Sequence, residues 1–125
     1  MSAEHVEAMN ALLVDATGVR AACRRLPRPY VIAYRLSDGP GGQDVHWTVA
    51  FDDTVRFGLT QHPQPDVVIV GAWREMVLAS AASRTGQARE PEVRYEGDDQ
   101  ALVVTAPVLE EARAVATVPV EFPDL

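Results

Sequence analysis

The stretch YVIAYRLSDGPGGQDVHWTVAFDDTVRFGLT, residues 30–60, decides the fold class. Tyr30, Ile32, Tyr34 and Leu36 recur with a period of two, opposite Val31, Ala33 and Arg35. After the turn Ser37-Asp38-Gly39-Pro40-Gly41-Gly42, the alternation resumes with Val45, Trp47, Val49 and Phe51 against Asp44, His46, Thr48 and Ala50. Asp52-Asp53 turns the chain again into Val55, Phe57 and Leu59, set against Arg56, Gly58 and Thr60. Successive strand residues point to opposite faces, so the pattern predicts an antiparallel meander with one apolar and one mostly polar face.

Outward from this stretch the period changes. Val6, Met9, Leu12, Leu13, Ala16, Val19, Cys23 and Leu26 recur at three or four, which predicts an amphipathic helix over residues 3–26 with Gly18 as a point of weakness. Pro27 and Pro29 stop it. On the other side, His62-Pro63-Gln64-Pro65 is a stiff connection, and Asp66 to Val70 is a compact apolar run expected to be a fourth strand. Gly71 to Arg84 reads as a helix presenting Trp73, Met76 and Val77, and Gly86 marks its end. Glu92 to Glu96 alternates as a fifth strand before the turn at Gly97-Asp98-Asp99. Gln100 to Thr105 stays open: Asp98 or Asp99 could cap a helix there, while Val103, Val104 and Thr105 suit a hairpin with the fifth strand. Pro107 is expected to open a helix over residues 107–116, followed by a proline-containing tail over 117–125. With no repeat or linker, the expectation is one domain over residues 1–125, its sheet and helix body spanning residues 30–105.

Composition bounds the function. The net charge is −7, from 18 acidic and 11 basic residues, all of the latter Arg. Nucleic acid and anionic membrane surfaces need clustered cations, so neither is expected as a partner. No apolar run approaches the roughly 18 residues of a membrane span, and the first ten residues do not read as a leader. One cysteine, Cys23, makes no intrachain disulfide. A cytoplasmic location is the resulting expectation.

No phosphate loop, HExxH, CxxC or GxSxG stands in the chain. His5, His46 and His62 belong to separate elements with no ligand spacing, so neither a metal nor another cofactor is expected. Most carboxylates fall at turns (Asp38, Asp52, Asp53, Asp98, Asp99) or in first helical turns (Glu110, Glu111), where they serve structure. Cys23 lies on the apolar stripe of the first helix, with Arg20, Arg24 and Arg25 nearby. A core role outweighs an activated thiol there. What remains is large apolar material on one sheet face, roofed by helices rich in small residues (Ala79, Ala81, Ala82, Ala101). Such a roof can enclose a ligand-sized space.

Three motifs resemble the sterol carrier protein type 2 superfamily. They are Tyr34-Arg35-Leu36-Ser37-Asp38-Gly39-Pro40-Gly41-Gly42 followed by Val45-His46-Trp47-Thr48-Val49; Pro65-Asp66-Val67-Val68-Ile69-Val70; and Glu92-Val93-Arg94-Tyr95-Glu96-Gly97-Asp98. The resemblance covers roughly residues 30 to 105. It implies an α+β fold, a five-stranded, mostly antiparallel sheet with helices over one face and an apolar tunnel between them. It further implies non-catalytic binding or carrying of a lipid or other apolar small molecule. By position, the tunnel residues would be Trp47, Val49, Phe57, Leu59, Trp73, Met76 and Val77. The sequence departs from the family in its short connection at Gln87-Ala88-Arg89-Glu90-Pro91 and in the β-branched pair Val103-Val104. Two other readings stand beside this one: a small pocket enzyme, a cyclase or isomerase using a carboxylate, Tyr30 or Tyr34, and an interaction domain with a filled core. An edge strand and the proline-containing tail leave room for a homodimer, which no residue demands.

Overall fold

The computed structural model describes residues 3–84, 86 and 92–116. The elements run α1 (Ala3–Val14), α2 (Thr17–Arg24), β1 (Tyr30–Ser37), a 3-10 turn (Pro40–Gly42), β2 (Val45–Phe51), β3 (Val55–Gly58), β4 (Val67–Ala72), α3 (Trp73–Arg84), β5 (Val93–Gly97) and α4 (Gln100–Val115). The sheet order is β3-β2-β1-β4-β5. The meander β1-β2-β3 is antiparallel, as its alternation predicts, β4 joins β1 in parallel, and β5 closes antiparallel on β4. This is an α+β fold with a mixed, mostly antiparallel sheet.

Cross-strand register sorts the side chains into rows on one face. Val55, Phe51 and Tyr30 form the first row, and Phe57, Val49, Ile32, Val67 and Gly97 the second. Trp47, Tyr34, Ile69 and Tyr95 form the third; Val45, Leu36, Gly71 and Val93 form the fourth. The first two rows pack with Val6, Met9 and Leu13 of α1, Val19, Ala22 and Cys23 of α2, and Ala101, Val108 and Ala112 of α4 in one core. So α1, α2 and α4 all lie over this face. The opposite face carries Val31, Ala33, Ala50, Val68 and Val70 among Arg35, His46, Arg56, Arg94 and Glu96.

Two helices depart from expectation. The continuous helix over 3–26 is two helices, broken at Asp15-Ala16 and not at Gly18, with Ala16 extended (φ −74°, ψ 99°). The break is tolerated because the carbonyls that α1 leaves free find donors from elsewhere. Thr54 Oγ1 donates to Leu13 O at 2.7 Å, and Arg20 Nη1 donates to Val14 O at 3.0 Å. At the other end, 100–105 is helical and runs without a stop through Pro107, so the helix expected over 107–116 begins seven residues earlier. Pro107 cannot donate to Val103 O, but Val103 is 66% exposed and water can serve that carbonyl. The buried stripe Ala101, Thr105, Val108, Ala112 continues on both sides of the proline and holds the helix together. Asp98 Oδ1 accepts from Gln100 N–H at its start (3.1 Å). The fourth and fifth strands and α3 fall within two residues of their expected bounds, while β3 stops at Gly58 and leaves Leu59 outside it. The 87–91 connection and the tail from 117 lie outside the described residues.

Candidate functional site

Burial changes along the covered face from row to row. In the first two rows Val55, Phe51, Tyr30, Val49, Ile32 and Val67 are all buried. The third row holds the largest side chains on this face and is the least sealed. Trp47 and Tyr34 are half-buried, and Tyr95 is 55% exposed; only Ile69 is buried. In the fourth row Leu36 is fully buried but lies outside the main core, as do the buried Val77 and Ala79 of α3. Ile69 of the third row belongs to the main core and Tyr34 packs against it, so the open members of the row are Trp47 and Tyr95.

Within that row the Tyr34 and Trp47 rings lie 6.0 Å apart, tilted by 59°, a spacing at which an edge of one ring meets the face of the other. Burial pushes the Tyr34 phenol above its ordinary value near 10, Arg113 of α4 pulls it back, and Tyr95 adds to the rise. The phenol is therefore neutral at neutral pH and able to donate or accept a hydrogen bond. Among the described residues none is hydrogen-bonded to its hydroxyl.

The seven residues expected to line a tunnel divide into three groups. Val49 is buried in the main core, and Phe57 and Leu59 pack against it, partly buried. Trp47 belongs to the open row beside Tyr34. Trp73, Met76 and Val77 stand on α3, outside the main core, the first two half-buried and the third buried. Ile69 and Tyr95 join Tyr34 and Trp47 in this row through the β1-β4-β5 register, which local alternation does not reveal. Two surface hollows lie elsewhere. One of about 350 Å³ between α2 and α4 is lined by Leu26, Val104, Pro107 and Val108 with Arg25 and Glu111; the other, about 440 Å³, lies at Val70, Glu92, Val93 and Arg94.

Other candidates resolve into structure. Cys23 is buried, and its thiol is pushed up, first by burial and then by Asp52, with Arg20 pulling it back and Asp53 adding least to the rise. A thiol held protonated is a poor nucleophile. His62 Nδ1 accepts from Gln64 N–H at 3.1 Å, and His46 sits 3.4 Å from Gln61 on the uncovered face. No cluster of three metal-ligating side chains occurs among the described residues, and none of their helices is long and apolar enough to cross a membrane.

No protein-family profile and no curated protein matches the chain. Solved structures do. A Thermus thermophilus protein, described as a sterol carrier protein candidate, aligns with a TM-score of 0.58 at 18% identity, over 92% of this chain and 85% of its own. Sterol carrier protein 2 from Yarrowia lipolytica aligns with a TM-score of 0.53 at 12% identity, over 90% of each chain. The chain has the sterol carrier protein type 2 fold. A ubiquinone synthesis protein with the same kind of domain aligns at a TM-score of 0.50 and 16% identity, over 87% of this chain and 88% of its own. At these identities the likeness is one of fold, and it agrees with the three motifs on which the sequence resemblance rests. In this sterol-carrier fold, the open aromatic row lies on the sheet face that the helices cover.

Proposed function

We propose that this protein, acting as one domain, binds or carries a lipid or another apolar small molecule without chemical conversion. The ligand's body would lie along the third row of the covered face, with Trp47, Tyr34 and Ile69 as floor. Trp73, Met76 and Val77 of α3 would form a wall, and Val49, Phe57 and Leu59 would fix the floor from the core side. One observation carries this reading: the bulkiest row on the covered face is also its least buried, with Trp47 half-buried and Tyr95 exposed beside the main core. Apolar area withdrawn from water there supplies roughly 25 cal/mol per Å², offset by ordering costs. The names of the fold's relatives, one a sterol carrier protein and one a candidate for that class, support the same reading.

An acid-base enzyme is the weaker reading, because the strand residues of the covered face include no Asp, Glu or His. A homodimer draws on a different observation, the apolar strip Val31, Ala33, Ala50, Val68 and Val70 on the uncovered face. Sedimentation of the free protein decides that point.

Uptake of a fluorescent fatty acid or sterol tests the ligand site. Trp47→Ala should weaken uptake at least tenfold while far-UV dichroism stays native, since roughly 1.4 kcal/mol of lost apolar contact suffices. Trp73→Asp should act in the same direction by placing a charge in the α3 wall. Unchanged uptake in both folded variants contradicts the site.

A further inference from the structure

The two edges of the sheet are finished differently. On β3, Asn10 takes up both backbone groups of Phe57. On β5, no described residue bonds the side that faces away from β4. Asp98 N–H donates to Asp66 O at 2.8 Å, and backbone direction alternates along an antiparallel strand. The backbone groups of Arg94 and Glu96 therefore face β4, and those of Val93, Tyr95 and Gly97 face outward. Arg94, Tyr95 and Glu96 are all exposed, Tyr95 by 55%. Charged residues on an edge strand ordinarily discourage pairing, but the order of the charges here favours one partner. Arg94 and Glu96 flank Tyr95 and share the uncovered face. If a second β5 lies antiparallel about Tyr95, Arg94 stands opposite Glu96 of the second copy, and Glu96 opposite its Arg94. These are the non-hydrogen-bonded pairs, in which side chains come closest. The two Tyr95 residues exchange backbone hydrogen bonds, and their rings meet on the covered face. A slip of two residues either way sets Arg94 against Arg94 or Glu96 against Glu96, so charge favours this register. Within one copy Glu96 Oε2 lies 3.3 Å from Arg35 Nη2 and 3.7 Å from Arg94 Nη2. Arg94 is 74% exposed and makes the longer of these contacts, which leaves its fork of donors open to a second carboxylate.

We propose that the outer edge of β5 pairs antiparallel with β5 of a second copy of this chain, about a two-fold axis at Tyr95, and joins the two sheets into one. The contact is isologous, each copy offering the same strand, and it does not depend on the lipid-binding reading. Five residues a side bury less than the roughly 1,200 Å² of a standard interface, so the dimer dissociates on dilution.

Sedimentation velocity of the full chain over a concentration series should show a monomer–dimer equilibrium. Arg94→Glu and Glu96→Arg should each weaken dimerisation about tenfold, since two opposite-charge pairs become two like-charge pairs. An equimolar mixture of the two variants should recover the dimer, because one copy then carries two carboxylates on β5 and the other two guanidiniums. Both side chains are exposed, so both variants are expected to fold, with far-UV dichroism as the check. Independently of any substitution, hydrogen exchange at the Tyr95 amide should slow as the protein dimerises. A chain that is monomeric at every concentration overturns the proposal, as does a mixture of variants that stays monomeric or a Tyr95 amide whose exchange ignores concentration. A dimer that both variants keep also overturns it, and moves the contact to another surface, such as the apolar strip of the uncovered face.

Discussion

Asp66 shows how one side chain of the Pro65-Asp66-Val67 motif organises the sheet. Its carboxylate accepts from Val31 N–H at 2.7 Å and from Arg28 Nη1 at 2.8 Å. Its backbone N–H donates to Val31 O at 2.9 Å, and its carbonyl accepts from Asp98 N–H at 2.8 Å. The start of the parallel β1-β4 pair and the exit of β5 therefore meet at one residue. Gly97 is part of the same joint: at φ 103° its carbon lies so close to Asp66 O that an added Cβ would stand 2.6 Å away. Asp66→Ala would leave the Val31 N–H without its acceptor, and the expected loss is about 1–3 kcal/mol in urea unfolding. Arg28 is half-exposed and also lies over the Tyr30 ring at 4.1 Å, so Arg28→Ala should cost less than about 1 kcal/mol. Equal losses in the two variants would mean that the ion pair, and not the backbone hydrogen bond, does the holding. The motif was legible in the sequence as a strand entrance; the partner it grips, Val31, was not, because a parallel pairing between distant strands leaves no local periodicity.

At the scale of elements, the strands were readable because period-two alternation depends only on which face is buried. The helices were harder. The apolar stripe passes through the α1-α2 break without a change of phase, at Leu13, Ala16 and Val19, and the break rests on tertiary donors such as Thr54. In α4 the local rule that proline opens a helix is overridden by a buried stripe that runs past it. A contact with no sequence signature at all protects the edge of the sheet. Asn10 of α1 donates from Nδ2 to Phe57 O at 2.9 Å and accepts at Oδ1 from Phe57 N–H at 2.8 Å, acting as a short substitute for a sixth strand on β3. Asn10→Ala should lose about 1–3 kcal/mol and speed hydrogen exchange at Phe57 selectively. Uniform exchange acceleration across the sheet would show instead that Asn10 acts on global stability alone. Edge protection of this kind also lowers the tendency to pair with another chain.

Over the whole molecule, the helices seal one end of the covered face and leave the other end half-open. Half of the proposed site was visible from sequence: Trp47 and Tyr34 share a face by alternation, and the apolar content of α3 was plain. Ile69 and Tyr95 were hidden because their alignment depends on the β4 and β5 registers. A sealed core at one end and an open aromatic row at the other would suit the proposed carrier: enough packing for stability, and a surface left for a ligand to cover. The most direct test of that claim is native mass spectrometry of the protein as purified, followed by denaturing extraction. The account predicts a co-purifying apolar molecule, released on denaturation, or, after delipidation, stoichiometric uptake of one fatty acid. A protein that is empty as purified and takes up neither fatty acid nor sterol would contradict it.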